Sequence, residues 1–228
     1  MPRRWRGLFD EAGLHTDEAM IIPIDRFFAE MELSEAEKKR REDLANDLLI
    51  LFLLFFAEIE AEKTIQNKTK PDVNIEYFKN MLYRQYSDNV ETFIVLVAAL
   101  LGRKKISDEM SDSIKERTSY IVDTTLKFDD EFYTSKDRAV MLACNEANYV
   151  GNTTDYDIAK YQGYRHKQWL TMKDEKVRIA HALVDGQTVG IDEYFKVGGY
   201  EMLYPMDTSR GATPDMTQNC RCVCEYLR

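Results

Sequence analysis

The sequence predicts an α+β protein, a helical N-terminal bundle followed by a small mixed α+β C-terminal domain. Three observations lead there: long apolar stretches with helix-start signals fill the first part, only five Pro and ten Gly interrupt 228 residues, and the last third alternates short apolar runs with glycine and proline loops. A hydrophobic content of 44% beside 31% charged residues is that of a folded chain rather than a disordered one. The formal net charge of -9 argues against a protein that coats nucleic acid, because phosphate binding needs clustered Lys and Arg.

Taken in order, the basic start from Pro2 to Arg6 reads as a solvated tail and Ile21 to Ile24 as an anchoring segment. The start lacks the apolar core of a signal peptide. Ser34-Glu-Ala-Glu37 is a capping box, and the helix it opens should reach about Gln66. Its apolar run, Leu48 to Ala57, rises only about 15 Å and should not span a membrane. A run apolar on every side must be surrounded, by the bundle core or by self-association. Helical stretches follow at Asn74–Tyr86, at Asp88–Leu101 before Gly102, and at Ser107–Asp129. Charge at Asp129-Asp-Glu131 marks a boundary, giving domains 1–133 and 134–228. A helix from Ser135 to Val150 should turn at Gly151-Asn-Thr-Thr154 into another ending near Gly163. Candidate strands are Arg165–Thr171, Thr188–Asp192, Glu201–Tyr204 and Arg221–Tyr226, with Trp169 and Phe195 filling the core between them.

The rare chemistry lies in two late segments. Lys173 to Asp185 predicts a helix of about three turns, capped by Asp174 and stopped by Gly186, so that Asp174, Arg178, His181 and Asp185 share one polar stripe. Near the end, Cys220, Cys222 and Cys224 alternate along a strand and would point to one side. Thiols at such spacing pair poorly as disulfides, which suits a reducing cytoplasm. Thiolate and imidazole are ligands that zinc prefers, so His181, Cys220 and Cys222, with Cys224 or Asp185, form a candidate metal set. Against it stands a reading in which the cysteines are small buried side chains and the carboxylates hold Arg178 and orient His181. His15 and His166 read as ordinary surface or edge residues.

An aromatic-led strand (Trp169), then Asp174-x-x-Val177-Arg178-x-x-His181-x-x-x-Asp185-Gly186, then Phe195, a loop with Pro205 or Pro214, and Asn219-Cys220-Arg221-Cys222 together resemble the phage Mu F-like family of minor head proteins. The resemblance reaches upstream to about Ser135, where the family's Arg-Thr-Glu-like triplet stands here as Cys144-Asn145-Glu146, matching at the Glu alone. It implies a structural minor head, or minor capsid, protein of a tailed phage or prophage that is not an enzyme and needs no cofactor. The implied partners are the portal protein and the major capsid protein, with packaged DNA met only indirectly. The implied location is the head interior or portal vertex of the virion, and the host cytoplasm during assembly, with a part in head morphogenesis, DNA packaging or ejection. The alternative is a metal-dependent hydrolase or toxin-like effector using His181 and the terminal cysteines.

Overall fold

The structure, a computed structural model, describes residues 22–98 and 107–228. The expectations for Pro2–Arg6, His15 and Gly102 lie outside the described residues. Helix α1 (Ile24–Ala29) buries Phe27 and Phe28; of the expected anchoring segment, Ile22 and Ile24 are half-buried and Ile21 lies outside the described residues. Helix α2 (Glu35–Gln66) starts at the capping box, where Glu37 Oε2 accepts the Ser34 N–H at 2.9 Å and Ser34 Oγ accepts the Glu37 N–H at 3.3 Å. It ends at Gln66 with Asn67 left-handed at φ +50.

Within α2, Leu48, Phe52, Phe55 and Ile59 are buried, but Ile50 and Leu54 are 58% and 64% exposed. The apolar run is therefore not enclosed on every side. Helix α3 (Ile75–Ala98) is continuous where two stretches were expected. Tyr86 and Val90 are both fully buried one turn apart, so the buried face carries through Ser87 and Asp88. Helix α4 (Asp108–Lys127) is capped by Ser107 Oγ, which accepts the Met110 N–H at 3.2 Å. It buries Met110, Ile114 and Ile121, with Thr118 and Thr125 returning their hydroxyls to carbonyls one turn back at 2.9 and 2.7 Å.

The described residues group into two compact units, one of residues 43–143 and one of residues 22–42 with 144–228. In the first, α3 and α4 are joined by Tyr83 Oη to Ser111 Oγ at 2.7 Å and by Lys79 to Asp123 at 2.7 Å. A short 3₁₀ turn (Glu131–Thr134) follows them. The buried Arg138 donates to Thr125 Oγ1 at 2.6 Å, to Thr124 Oγ1 at 2.7 Å and to the Tyr133 carbonyl, and it lies over the Phe56 and Tyr133 rings. Burial lowers its pKa to about 10.

The second unit carries the sheet. Helix α5 (Lys136–Tyr161) runs unbroken through Gly151–Thr154, where a turn was expected. Gly151 serves close approach rather than a turn, since a Cβ there would lie 2.4 Å from Arg41 Nε. Strand β1 (His166–Leu170) is central, flanked antiparallel by β2 (Thr188–Gly190) and β5 (Val223–Leu227), with Lys167 opposite Val189 and Trp169 opposite Cys224. Helix α6 (Ile179–Ala182) lies between β1 and β2 in the chain, and α7 (Pro214–Thr217) before β5. Strands β3 (Phe195–Val197) and β4 (Tyr200–Met202) form a hairpin across Gly198-Gly199, at φ +57 and +88, the positive angles that a two-residue turn requires. Strand β3 was not among the expected strands. Trp169 and Phe195 are fully buried and meet edge to face at 5.2 Å, as their core role predicts. The architecture is thus α+β, and no helix among the described residues is long and apolar enough to cross a membrane.

Candidate functional site

The three-turn helix expected over Lys173–Asp185 is a single turn, α6. Lys173 sits left-handed at φ +56 and Arg178 is extended at ψ 143, so helical geometry cannot start before Ile179. Asp174 Oδ1 accepts the Lys176 N–H at 3.1 Å, closing a local turn instead of capping a helix. Gly186 takes the expected left-handed position at φ +74.

Without the long helix, the four polar residues share no stripe, and each secures a different piece of chain. Asp174 pairs with the buried Arg221, which also reaches Glu30 at 3.5 Å. Arg178 donates to the Gln218 carbonyl. Asp185 Oδ1 accepts from the Thr171 N–H at 2.8 Å and from its hydroxyl at 3.0 Å. His181 alone faces the cysteines, with Nδ1 3.4 Å from Cys222 Sγ and 3.7 Å from Cys220 Sγ. The carboxylates therefore hold Arg221 and Thr171, not Arg178 and His181.

His181, Cys220 and Cys222 are 1%, 2% and 3% exposed, and their ligand atoms all lie within 4.8 Å of one another. Cys224 is not in that group and lies inside β5 opposite Trp169. Cys220 and Cys222 precede the strand, which begins at Val223, and Asn219 is left-handed at φ +54. Asn tolerates that conformation better than most residues, which gives the first position of Asn-Cys-Arg-Cys a backbone reason. A hydrogen bond from Cys222, with His181 beside it, draws the Cys220 thiol well below its usual range, while the same sharing and burial push Cys222 up. Burial raises the Cys224 thiol. The His181 ring meets Trp169 edge to face at 5.5 Å, and its Nε2 is buried with no hydrogen-bond partner among the described residues.

A set of residues given no such role from sequence grips this segment, among them Asn145, from the triplet that matches the family at Glu146 alone. From one face of α5, Asn145 Oδ1 accepts the Asn219 N–H at 2.7 Å, Asn148 Nδ2 donates to the Cys220 carbonyl at 2.8 Å, and Asn152 Nδ2 donates to the Cys222 and Pro205 carbonyls at 3.1 Å each. The buried Arg41 donates to the amide oxygens of both Asn148 and Asn152 and pairs with Asp155. Each amide is thereby held with its oxygen toward the guanidinium and its nitrogen toward the cysteine segment. The available signal was the spacing of 145, 148 and 152, asparagines on one face of a helix whose neighbours are small and apolar.

Lys167 is a second unforeseen feature, a fully buried lysine on the central strand whose Nζ donates to the Ile191 carbonyl and lies 5.1 Å from the Tyr156 ring. Burial lowers its pKa to about 8. His166 is exposed at the start of β1, in keeping with an ordinary surface residue.

A family model described as Phage Mu protein F like protein matches residues 103–225, more than half of the chain and beginning upstream of Ser135. No curated protein and no solved structure matches the chain.

Proposed function

The chain belongs to the phage Mu protein F like family, a structural family of phage head-related proteins, and from that premise we propose that it is a minor head protein held at the portal vertex or inner capsid surface. It acts in head morphogenesis, DNA packaging or ejection by binding portal or major capsid protein, and it meets packaged DNA only indirectly. Its locations are the assembling head in the host cytoplasm and then the virion.

One observation carries the reading beyond the family match. The residues of the motif, far apart in sequence, converge on one body in which Asp174 to Asp185, Asn219 to Cys222 and α5 are locked together by buried and part-buried polar contacts. Such a body suits docking, because its surface is rigid before a partner arrives. It does not suit the alternative of a metal-dependent hydrolase or toxin-like effector, since His181, Cys220 and Cys222 are at most 3% exposed and a substrate needs access. A net charge of -9 disfavours direct hold on the genome. Self-association through Leu48–Ala57 is part of the proposal, with the outward Ile50 and Leu54 as its contact.

The test is affinity capture of the tagged chain from cells assembling its own particles. Portal protein should co-purify, and the chain should remain in purified heads at low copy. Recovery of the chain free of portal and capsid protein, with none in the heads, would overturn the assignment.

A further inference from the structure

We propose that His181, Cys220 and Cys222 form a zinc site, with Nδ1 and two thiolates as three of its ligands. The proposal does not depend on which head component the chain binds.

Geometry is the first argument. Zinc bonds of about 2.3 Å to sulfur and about 2.0–2.1 Å to nitrogen, at the tetrahedral angle, put each sulfur about 3.5 Å from the nitrogen. The observed separations are 3.4 and 3.7 Å, on either side of that edge. One nitrogen, Nδ1, serves both contacts, so the imidazole lone pair points where a shared ion would lie.

Charge is the second. Two thiolates with a neutral imidazole around a divalent ion sum to zero. A neutral set is what a site this deeply buried can hold, because an unbalanced charge there would carry a large desolvation penalty. The soft thiolates and the imidazole favour zinc over calcium or magnesium.

Preorganisation is the third. Asn148 and Asn152 hold the carbonyls of the two cysteines, Arg178 holds the Gln218 carbonyl just before them, and Arg41 fixes both amides. The thiols are therefore presented by a backbone that is tied down on both sides, as supporting residues behind metal ligands commonly do. Of the other ligands considered from sequence, Asp185 is engaged by Thr171, and Cys224 is not among the ligand atoms that lie within 4.8 Å of one another.

The experiment is elemental analysis of the full chain, purified under reductant without chelator, followed by X-ray absorption on the wild-type protein. One zinc per chain is expected, with a first shell of two sulfurs at about 2.3 Å and nitrogen or oxygen at about 2.0–2.1 Å. Cys220→Ser with Cys222→Ser, and separately His181→Ala, should lose the metal, while Cys144→Ser and Cys224→Ser keep it. Should the first two variants fail to fold, the wild-type absorption spectrum still decides. A protein without stoichiometric metal that also fails to take up added zinc or cobalt overturns the proposal. So does a shell without two sulfurs, a metal lost with Cys224→Ser, or a Cys220–Cys222 disulfide in the protein as isolated.

Discussion

Lys167 and Asn148 illustrate how single buried polar groups shape this molecule. The charged form of Lys167 is disfavoured by burial, so its pKa falls from 10.5 to about 8 on folding. Between those values the unfolded chain binds more protons than the folded one, and stability must rise with pH across that window. Below about 8 both states are protonated and the cost is fully present; above 10.5 it is gone. Cys144, raised to about 12 by burial, works in the opposite sense above pH 9, as do the raised Cys222 and Cys224 thiols, so the whole-protein curve mixes these effects. The clean measurement is the difference in denaturant midpoint between wild type and Lys167→Met, which should shift in favour of wild type as pH climbs from 8 to 10.5. A flat difference would mean that the lysine keeps its ordinary affinity for protons. For Asn148→Ala, equilibrium unfolding should report a loss of about 1–3 kcal/mol, because the Cys220 carbonyl and an Arg41 N–H both lose a buried partner.

At the scale of elements, α5 gives the sharpest test. An interior glycine normally costs a helix about 1 kcal/mol against alanine, so Gly151→Ala should stabilise the protein if only propensity mattered. Here a methyl group would overlap the Arg41 guanidinium, and the substitution should instead destabilise by about 1–3 kcal/mol. The sign of the change in urea midpoint decides between the two. The same helix marks the limit of sequence reading. The start and stop of α2, the span of α4 and the strands at 166–170, 188–190, 200–202 and 223–227 were legible because capping residues, amphipathic period and alternation are local signals. The turn read at Gly151 and the long helix read from Lys173 were wrong because the deciding contacts are distant in sequence: Arg41 against Gly151, and Arg221 and Gln218 against the 174–178 segment. The site was legible in part for the same reason. His181, Cys220 and Cys222 do meet, whereas Asn148, Asn152 and Arg41, which help arrange them, carry no motif, and Asn145 stands where the family triplet is not matched.

For the whole molecule, composition and exposed surface set the expectations. With a net charge of -9, the purified chain should leave duplex DNA unshifted in a gel at about 0.15 M salt, where phosphate contacts depend on clustered cations. A retarded band would contradict positioning by protein contacts. Replacing Ile50 and Leu54 by Glu should change stability by no more than about 0.5 kcal/mol, since both side chains face solvent, yet should reduce any oligomer seen in sedimentation. An unchanged sedimentation coefficient in an oligomeric sample would place self-association elsewhere.

The grip of α5 on residues 219–222 also bears on biosynthesis. A ribosome adding roughly 5–20 residues per second releases the asparagines of α5 several seconds before the segment that satisfies them. During that interval a nascent chain carries a helix whose polar groups have only Arg41 and solvent to meet, and the imidazole of His181 has no thiol beside it. Chains arrested short of Asn219 should therefore be cut within α5 by a protease that spares the released protein.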